Sequence, residues 1–168
     1  MKELFIKKRL ITQSELDQLM FYWHDDIMFR DTRQPIIKNE YPEFLEAFRN
    51  RTVECVSKHN DEQYSVHTER GWIYAQGAKF EKHHDKNFPN REISCLTLIH
   101  KSNDLDGGQF LVYDSQDKGI DSELEVGETI FFDSGSYHEV LPILKGWRGS
   151  YGICLGLTNF VGSDQHKL

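Results

Sequence analysis

His83 and Asp85 stand one residue apart at the end of the stretch Trp72–Asp85, which reads W-I-Y-A-Q-G-A-K-F-E-K-H-H-D. An apolar run ends in a turn at Gly77, and the His-x-Asp pair follows it. On extended backbone, side chains two apart share a side. His83 and Asp85 therefore point together, and His84 points away. An imidazole and a carboxylate suit a first-row divalent ion such as Fe(II). Two groups do not complete a site. A third candidate, His138, lies in F-D-S-G-S-Y-H-E-V-L-P, and Arg148 follows ten residues later in K-G-W-R-G-S. Two imidazoles and one carboxylate on one face of an ion leave its other positions open to small molecules. All three must bind deprotonated, so acid should loosen the metal. Arg148 offers a planar fork that suits a carboxylate.

The order His-x-Asp, a gap of about fifty residues, His, then Arg resembles the 2-oxoglutarate- and Fe(II)-dependent dioxygenases. Three longer patterns are similar to their prolyl-4-hydroxylase-type branch. They are Tyr74-x-x-Gly77-x-x-Phe80-x-x-His83-x-Asp85, Gly107-Gly108, and His138-Glu139-Val140-x-Pro142 before Gly146-x-Arg148-x-Ser150. The resemblance runs through nearly the whole chain. It implies Fe(II) held by His83, Asp85 and His138, with 2-oxoglutarate and O2 as cosubstrates and ascorbate as a reductant. It also implies that Arg148 binds the far carboxylate of 2-oxoglutarate, that Ser150 adds a hydroxyl there, and that Tyr74 contacts the cosubstrate. Halogenating relatives lack the carboxylate ligand, so Asp85 argues for hydroxylation. The expected reaction hydroxylates a C–H bond of a prolyl or other amino-acid residue, or of a free amino acid, with succinate and CO2 as co-products. Related hydroxylases often carry a second tyrosine on the strand after the metal loop. The stretch 91–100 has none, and Thr97 or Leu98 falls near that position.

Two other readings compete. A nucleic-acid demethylase of the same superfamily would carry a second Arg six residues after the first, where this chain has Cys154. A net charge of −7 also disfavours binding driven by phosphate contacts. The second is a non-catalytic jelly-roll binding module, or a cupin with another metal. The cupin His-x-His pattern is absent, and a module that only bound sugar would not need the triad with its Arg.

The elements that must position these residues follow from the pattern of the chain. A length of 168 residues with 38% hydrophobic residues suits one domain with a real core. Residues 1–60 read as an N-terminal strand and supporting helices, and 61–158 as a jelly-roll core. Leu4, Ile6 and Leu10 suit the strand. Thr12-Gln13-Ser14-Glu15 has the form of a capping box, and Leu16, Leu19, Met20 and Trp23 follow at helical spacing. His24, Asp25 and Asp26 read as an exposed helix end rather than a metal cluster. The stretch 30–39, with Pro35, reads as a loop. Tyr41-Pro42-Glu43 opens a second helix, with Phe44, Leu45, Phe48, Cys55 and Val56 as its buried stripe.

From Tyr64 the texture is β. A strand reaches Thr68, Glu69-Arg70-Gly71 turns the chain, and Trp72–Tyr74 leads to the metal pair. The longest strand is expected over 91–100, with further strands over 109–113, 129–132, 141–144 and 147–157. Two helices and then about eight short strands suit a sandwich or barrel. A double-stranded β-helix, or jelly roll, meets that count with two facing sheets, and the resemblance supplies this name. The class is mainly β with N-terminal helices (α+β).

Three cysteines without CxxC do not form a disulfide framework, so reduced, cytoplasmic thiols are expected. There is no apolar stretch of membrane-spanning length and no secretory signal at the start. The expected partner is a small-molecule, peptide or protein substrate, with no nucleic acid and no membrane. Contacts to it fall to 30–39, 62–70 and 115–121.

Overall fold

The computed structural model describes residues 3–23, the backbone of 36–38, and residues 42–158. His24, Asp25, Asp26, Tyr41, most of the expected 30–39 loop and the tail beyond Thr158 lie outside the described residues. Strand β1 is Ile6–Arg9, and helix α1 is Gln13–Tyr22. The capping box forms at the start of α1. Glu15 N–H donates to the Thr12 hydroxyl at 3.2 Å, and Thr12 N–H donates to the Glu15 carboxylate at 2.8 Å. Leu16, Leu19 and Trp23 are buried, as the helical spacing requires.

Part of the expected loop is a strand, β2, at Ile36–Lys38. Three residues are too few to show alternation, and β2 is defined by pairing Ile36–Lys38 with Ile73–Gly71. A 3-10 turn over Glu43–Leu45 leads into α2, Glu46–Asn60, which buries Phe48, Thr52 and Val56. No helix among the described residues is long and apolar enough to cross a membrane.

Ten strands follow: β3 (Tyr64–Tyr74), β4 (Phe80–His83), β5 (Ile93–Lys101), β6 (Asp106–Gly107), β7 (Phe110–Tyr113), β8 (Gly119–Asp121), β9 (Glu128–Asp133), β10 (His138–Val140), β11 (Ile143–Lys145) and β12 (Arg148–Leu157). They form a six-stranded sheet in the order β1-β9-β5-β12-β3-β2, a four-stranded sheet β4-β10-β7-β8, and a small pair β11-β6. All the pairings are antiparallel. The helices pack on one face of the large sheet, over Ile73, Cys95, Phe131, Tyr151 and Ile153. The other face meets the small sheet through Tyr74, Phe110, Val112, Ile130, Phe132 and Val140. This is the jelly-roll arrangement, mainly β with N-terminal helices.

The expected turn at Glu69-Arg70-Gly71 does not occur. β3 runs through it unbroken for 11 residues, longer than the nine of β5. Glycine serves packing here. A Cβ on Gly71 would lie 2.3 Å from the Trp23 ring on the helix side of the sheet. On neighbouring β12, a Cβ on Gly152 would lie 2.4 Å from Trp72 on the inner side. One tryptophan therefore rests on each face of the sheet where the glycines thin it. Gly71→Ala should overpack the helix side and lower stability by about 1–3 kcal/mol, read as the shift in urea midpoint at unchanged slope.

Candidate active site

β4 and β10 are antiparallel neighbours, and His83 pairs directly with His138 across them. Their rings are 4.3 Å apart between centroids. Asp85 lies just beyond β4, where its N–H donates to the Ser134 carbonyl at 2.8 Å. One Asp85 oxygen is 3.8 Å from His83 Nε2 and the other is 3.7 Å from His138 Nε2. One ligand atom from each of the three residues fits within 4.8 Å of the others. β4 ends at His83 and Asp85 follows in a bend, yet both side chains turn to the same point. His84 turns from them and meets the Tyr137 ring edge-on at 5.0 Å.

Each imidazole is oriented by its other nitrogen. His83 Nδ1 is 2.7 Å from the Glu81 carbonyl, and His138 Nδ1 is 3.0 Å from the Ser136 carbonyl. Each carbonyl accepts an Nδ1–H, which leaves Nε2 as the unprotonated face toward Asp85. Burial pushes the His138 imidazole down to about 4, against the upward pull of Asp85, with His83 adding to the lowering. The neutral ligand form therefore persists well below neutral pH.

Asp85 is braced from the large sheet. Ser94 Oγ donates to its Oδ2 at 2.5 Å and lies 2.8 Å from Ser134 Oγ. Cys154 Sγ sits 4.0 Å from the same oxygen. Cys154 is half-buried beside this cluster. All three cysteines are free.

Arg148 begins β12 and is 4% exposed. One guanidinium nitrogen donates to the Gly108 carbonyl and another to Ser150 Oγ at 2.9 Å. Its Nε has no partner, and no carboxylate among the described residues forms an ion pair with it. The guanidinium lies 5.9 Å from the centre of the buried Tyr74 ring. Burial lowers the Arg148 pKa and raises that of Tyr74, while each charge favours the other's ionised form. Gly107 and Gly108 have φ of 76° and 69°, the left-handed region that glycine enters without strain. That turn aims the Gly108 carbonyl at Arg148.

The expected alternatives at the missing tyrosine separate by register. Leu98 pairs directly with Ser150, so their side chains share a face. Thr97 faces the other way and bonds Thr129 Oγ1 at 2.7 Å. Leu98 is thus the neighbour of the Arg148–Ser150 pair.

A cavity of about 180 Å³ opens at the triad and reaches Tyr74. Its walls include His83, Asp85 and His138, the aromatic rings of Trp72, Tyr74, Phe80, Phe110 and Phe132, and Thr68, Arg70 and Arg91. Arg148 and Ser150 adjoin the Tyr74 wall without lining the cavity. Of the segments expected to meet substrate, 68–70 lines it and 115–121 does not. Trp147 stacks on His100 at 4.1 Å and packs with the helix-side core, away from this cavity.

A jelly roll whose interior gathers two imidazoles and a carboxylate, with a buried guanidinium close by, defines a non-haem metal oxygenase. The family follows from the sequence itself. The model of the 2OG-Fe(II) oxygenase superfamily matches residues 56–151. The chain belongs to that superfamily, which uses Fe(II), 2-oxoglutarate and O2.

Solved structures of similar fold agree. A viral collagen prolyl hydroxylase from Paramecium bursaria Chlorella virus-1, in complex with 2-oxoglutarate, aligns with a TM-score of 0.72 at 15% identity. That alignment covers 92% of this chain and 96% of the viral one. A Pseudomonas putida prolyl-4-hydroxylase gives 0.65 at 17% identity, over 91% and 92% of the two chains. HygX from Streptomyces hygroscopicus, with nickel and 2-oxoglutarate bound, gives 0.71 at 11% identity, over 94% and 84%. At these identities the likeness speaks for the fold. No curated protein matches the sequence.

Proposed function

We propose that this protein is an Fe(II)- and 2-oxoglutarate-dependent hydroxylase acting on a C–H bond of an amino-acid substrate. That substrate is a prolyl or other residue of a peptide or protein, or a free amino acid. The carrying observation is the convergence of His83, Asp85 and His138 in a cavity walled by Tyr74, behind which a buried Arg148 has no carboxylate partner. The donor set suits Fe(II), with both Nε2 atoms and the Asp85 carboxylate turned to one point. A buried guanidinium with an unmatched Nε and no counter-charge suits a dicarboxylate, with Arg148 and Ser150 as donors and Tyr74 forming the adjacent wall. When bound, iron and 2-oxoglutarate together activate O2, releasing succinate and CO2. The protein's own residues orient the ion and the cosubstrate, and the aromatic walls keep water from the reacting bond.

Two of the similar structures are prolyl hydroxylases, which supports the prolyl end of the substrate range. Cys154 in place of a second Arg, together with the net charge of −7, argues against a nucleic-acid substrate. The three free cysteines fit a reducing, cytoplasmic setting.

The test begins with Fe(II) protein held anaerobically. Adding 2-oxoglutarate should produce a visible charge-transfer absorbance, and admitting air with ascorbate should then yield succinate. Absence of both would remove the hydroxylase reading. Ser94→Ala should weaken metal affinity by about 10–100-fold, because Asp85 loses the hydroxyl that orients it. Competition titration against a chelator measures this, and an unchanged affinity would deny Ser94 that part.

A further inference from the structure

The cavity contains a charged group outside both the triad and the Arg148–Ser150 pair. Arg91 lies three residues before Ser94, on the approach to β5, and lines the same cavity as the triad. It is 8% exposed, and its Nε has no hydrogen-bond partner. No carboxylate among the described residues pairs with it. Its guanidinium sits 4.0 Å from the centre of the Phe88 ring, which is 54% exposed and lines the same cavity. One face of the guanidinium is therefore covered by an aromatic ring, while its N–H edge stays uncommitted.

The remaining charges of the cavity wall are already engaged or of the same sign. Glu69 is held by Arg49 Nε at 2.6 and 2.8 Å. Glu139 accepts from the Tyr113 hydroxyl. Asp85 belongs to the triad. Arg70, exposed at the rim, forms no ion pair among the described residues. The two uncommitted charges facing the cavity are thus cations, in a chain whose net charge is −7. A buried cation without a counter-charge is costly to maintain. A guanidinium stacked on a ring gives up hydration on that face while its edge keeps the parallel donors that match a carboxylate.

We propose that Arg91, braced by Phe88 and supported by Arg70, anchors a carboxylate of the prime substrate. The substrate is then a carboxylate-bearing amino acid or peptide rather than an uncharged internal residue. This rests on the hydroxylase reading of the cavity and narrows its substrate class. The carboxylate comes from a free α-carboxylate, or from an Asp or Glu side chain within a peptide.

The test uses Ni(II)-substituted, 2-oxoglutarate-saturated protein, which binds substrate without turnover. Free and N-acetylated amino acids are titrated calorimetrically beside their carboxamides, and amidated peptides with internal Asp or Glu form a separate arm. At least one acid should bind about tenfold or more tightly than its amide. The arm in which it binds identifies the source of the carboxylate. Arg91→Met should erase the preference and Arg91→Lys should keep part of it. In both variants, affinity for 2-oxoglutarate, read from the Fe(II) charge-transfer absorbance, should stay that of the wild type.

Equal binding of acids and amides, no binding by any acid, or a preference that survives Arg91→Met would overturn the assignment. So would a loss of 2-oxoglutarate affinity in Arg91→Met, since the guanidinium would then serve the cosubstrate. A wild-type protein with no charge-transfer absorbance marks the separate failure of the hydroxylase reading itself.

Discussion

His138→Ala should abolish iron loading and succinate formation together, while the fold is retained. His138 supplies one of three ligand atoms within 4.8 Å, and its Nε2 faces Asp85 from the opposite strand. Two remaining groups, His83 and Asp85, cannot cap one face of the ion. The loss should exceed the roughly 100-fold that removing an outer-shell partner can cost. Metal content after anaerobic reconstitution and succinate release are the two measurements. His84→Ala is the matched control, since that ring turns to Tyr137 and away from the cluster. It should bind iron as the wild type does. If His84→Ala lost the metal and His138→Ala kept it, the triad would be wrong.

The acid limb of metal binding carries the same logic. The His138 imidazole is held to about 4 by its burial, so its neutral form persists through mildly acidic pH. Proton competition for this ligand sets in only below the ordinary histidine range.

What the sequence makes legible depends on how local the cause is. His83 and Asp85 could be paired from text alone because they stand two residues apart, although β4 ends at His83 and a bend carries Asp85. The capping box at Thr12 and Glu15 is local in the same way. His138 and Arg148 needed the longer pattern, since β10 reaches β4 only by folding across more than fifty residues. Ser94, Ser134 and Cys154 were not assigned to the site. Each meets Asp85 through pairings such as Ser94 with Cys154 and Ser94 with Phe132, which no short window contains.

The Thr97 and Leu98 alternatives stayed open for a related reason. A bulge between Gly149 and Ser150 shifts the register of β5 against β12, and one residue of slip exchanges the two faces. Gly71 misled in the opposite direction. Glycine beside charged residues reads as a turn, yet here it keeps a strand thin enough for Trp23. The strands β6 and β8 span two and three residues, too few to show a period.

Arg148→Met carries the second large effect, and it separates cosubstrate from metal. The guanidinium is 4% exposed and has hydrogen bonds but no counter-charge. Truncating one partner of a buried charge pair costs about 2–5 kcal/mol. Affinity for 2-oxoglutarate should therefore fall on the order of 30- to 4,000-fold, with iron affinity unchanged.

Stability should respond in a way that a merely structural arginine would not. The variant loses two hydrogen bonds worth about 1 kcal/mol each. It also sheds a desolvated cation, which offsets much of that loss. Its unfolding midpoint without ligand should lie near the wild type's. With the metal already bound, 2-oxoglutarate at ~100 times its wild-type dissociation constant should add about 2.7 kcal/mol to the wild type. At the same concentration the variant should gain less than about 1 kcal/mol from 2-oxoglutarate, while keeping the stabilisation that the metal alone provides. Arg148→Lys keeps the charge without the fork and should fall between the two. A variant that still gained the full ligand-dependent shift would show that another cation holds the far carboxylate, and Arg91 would then be the group to examine.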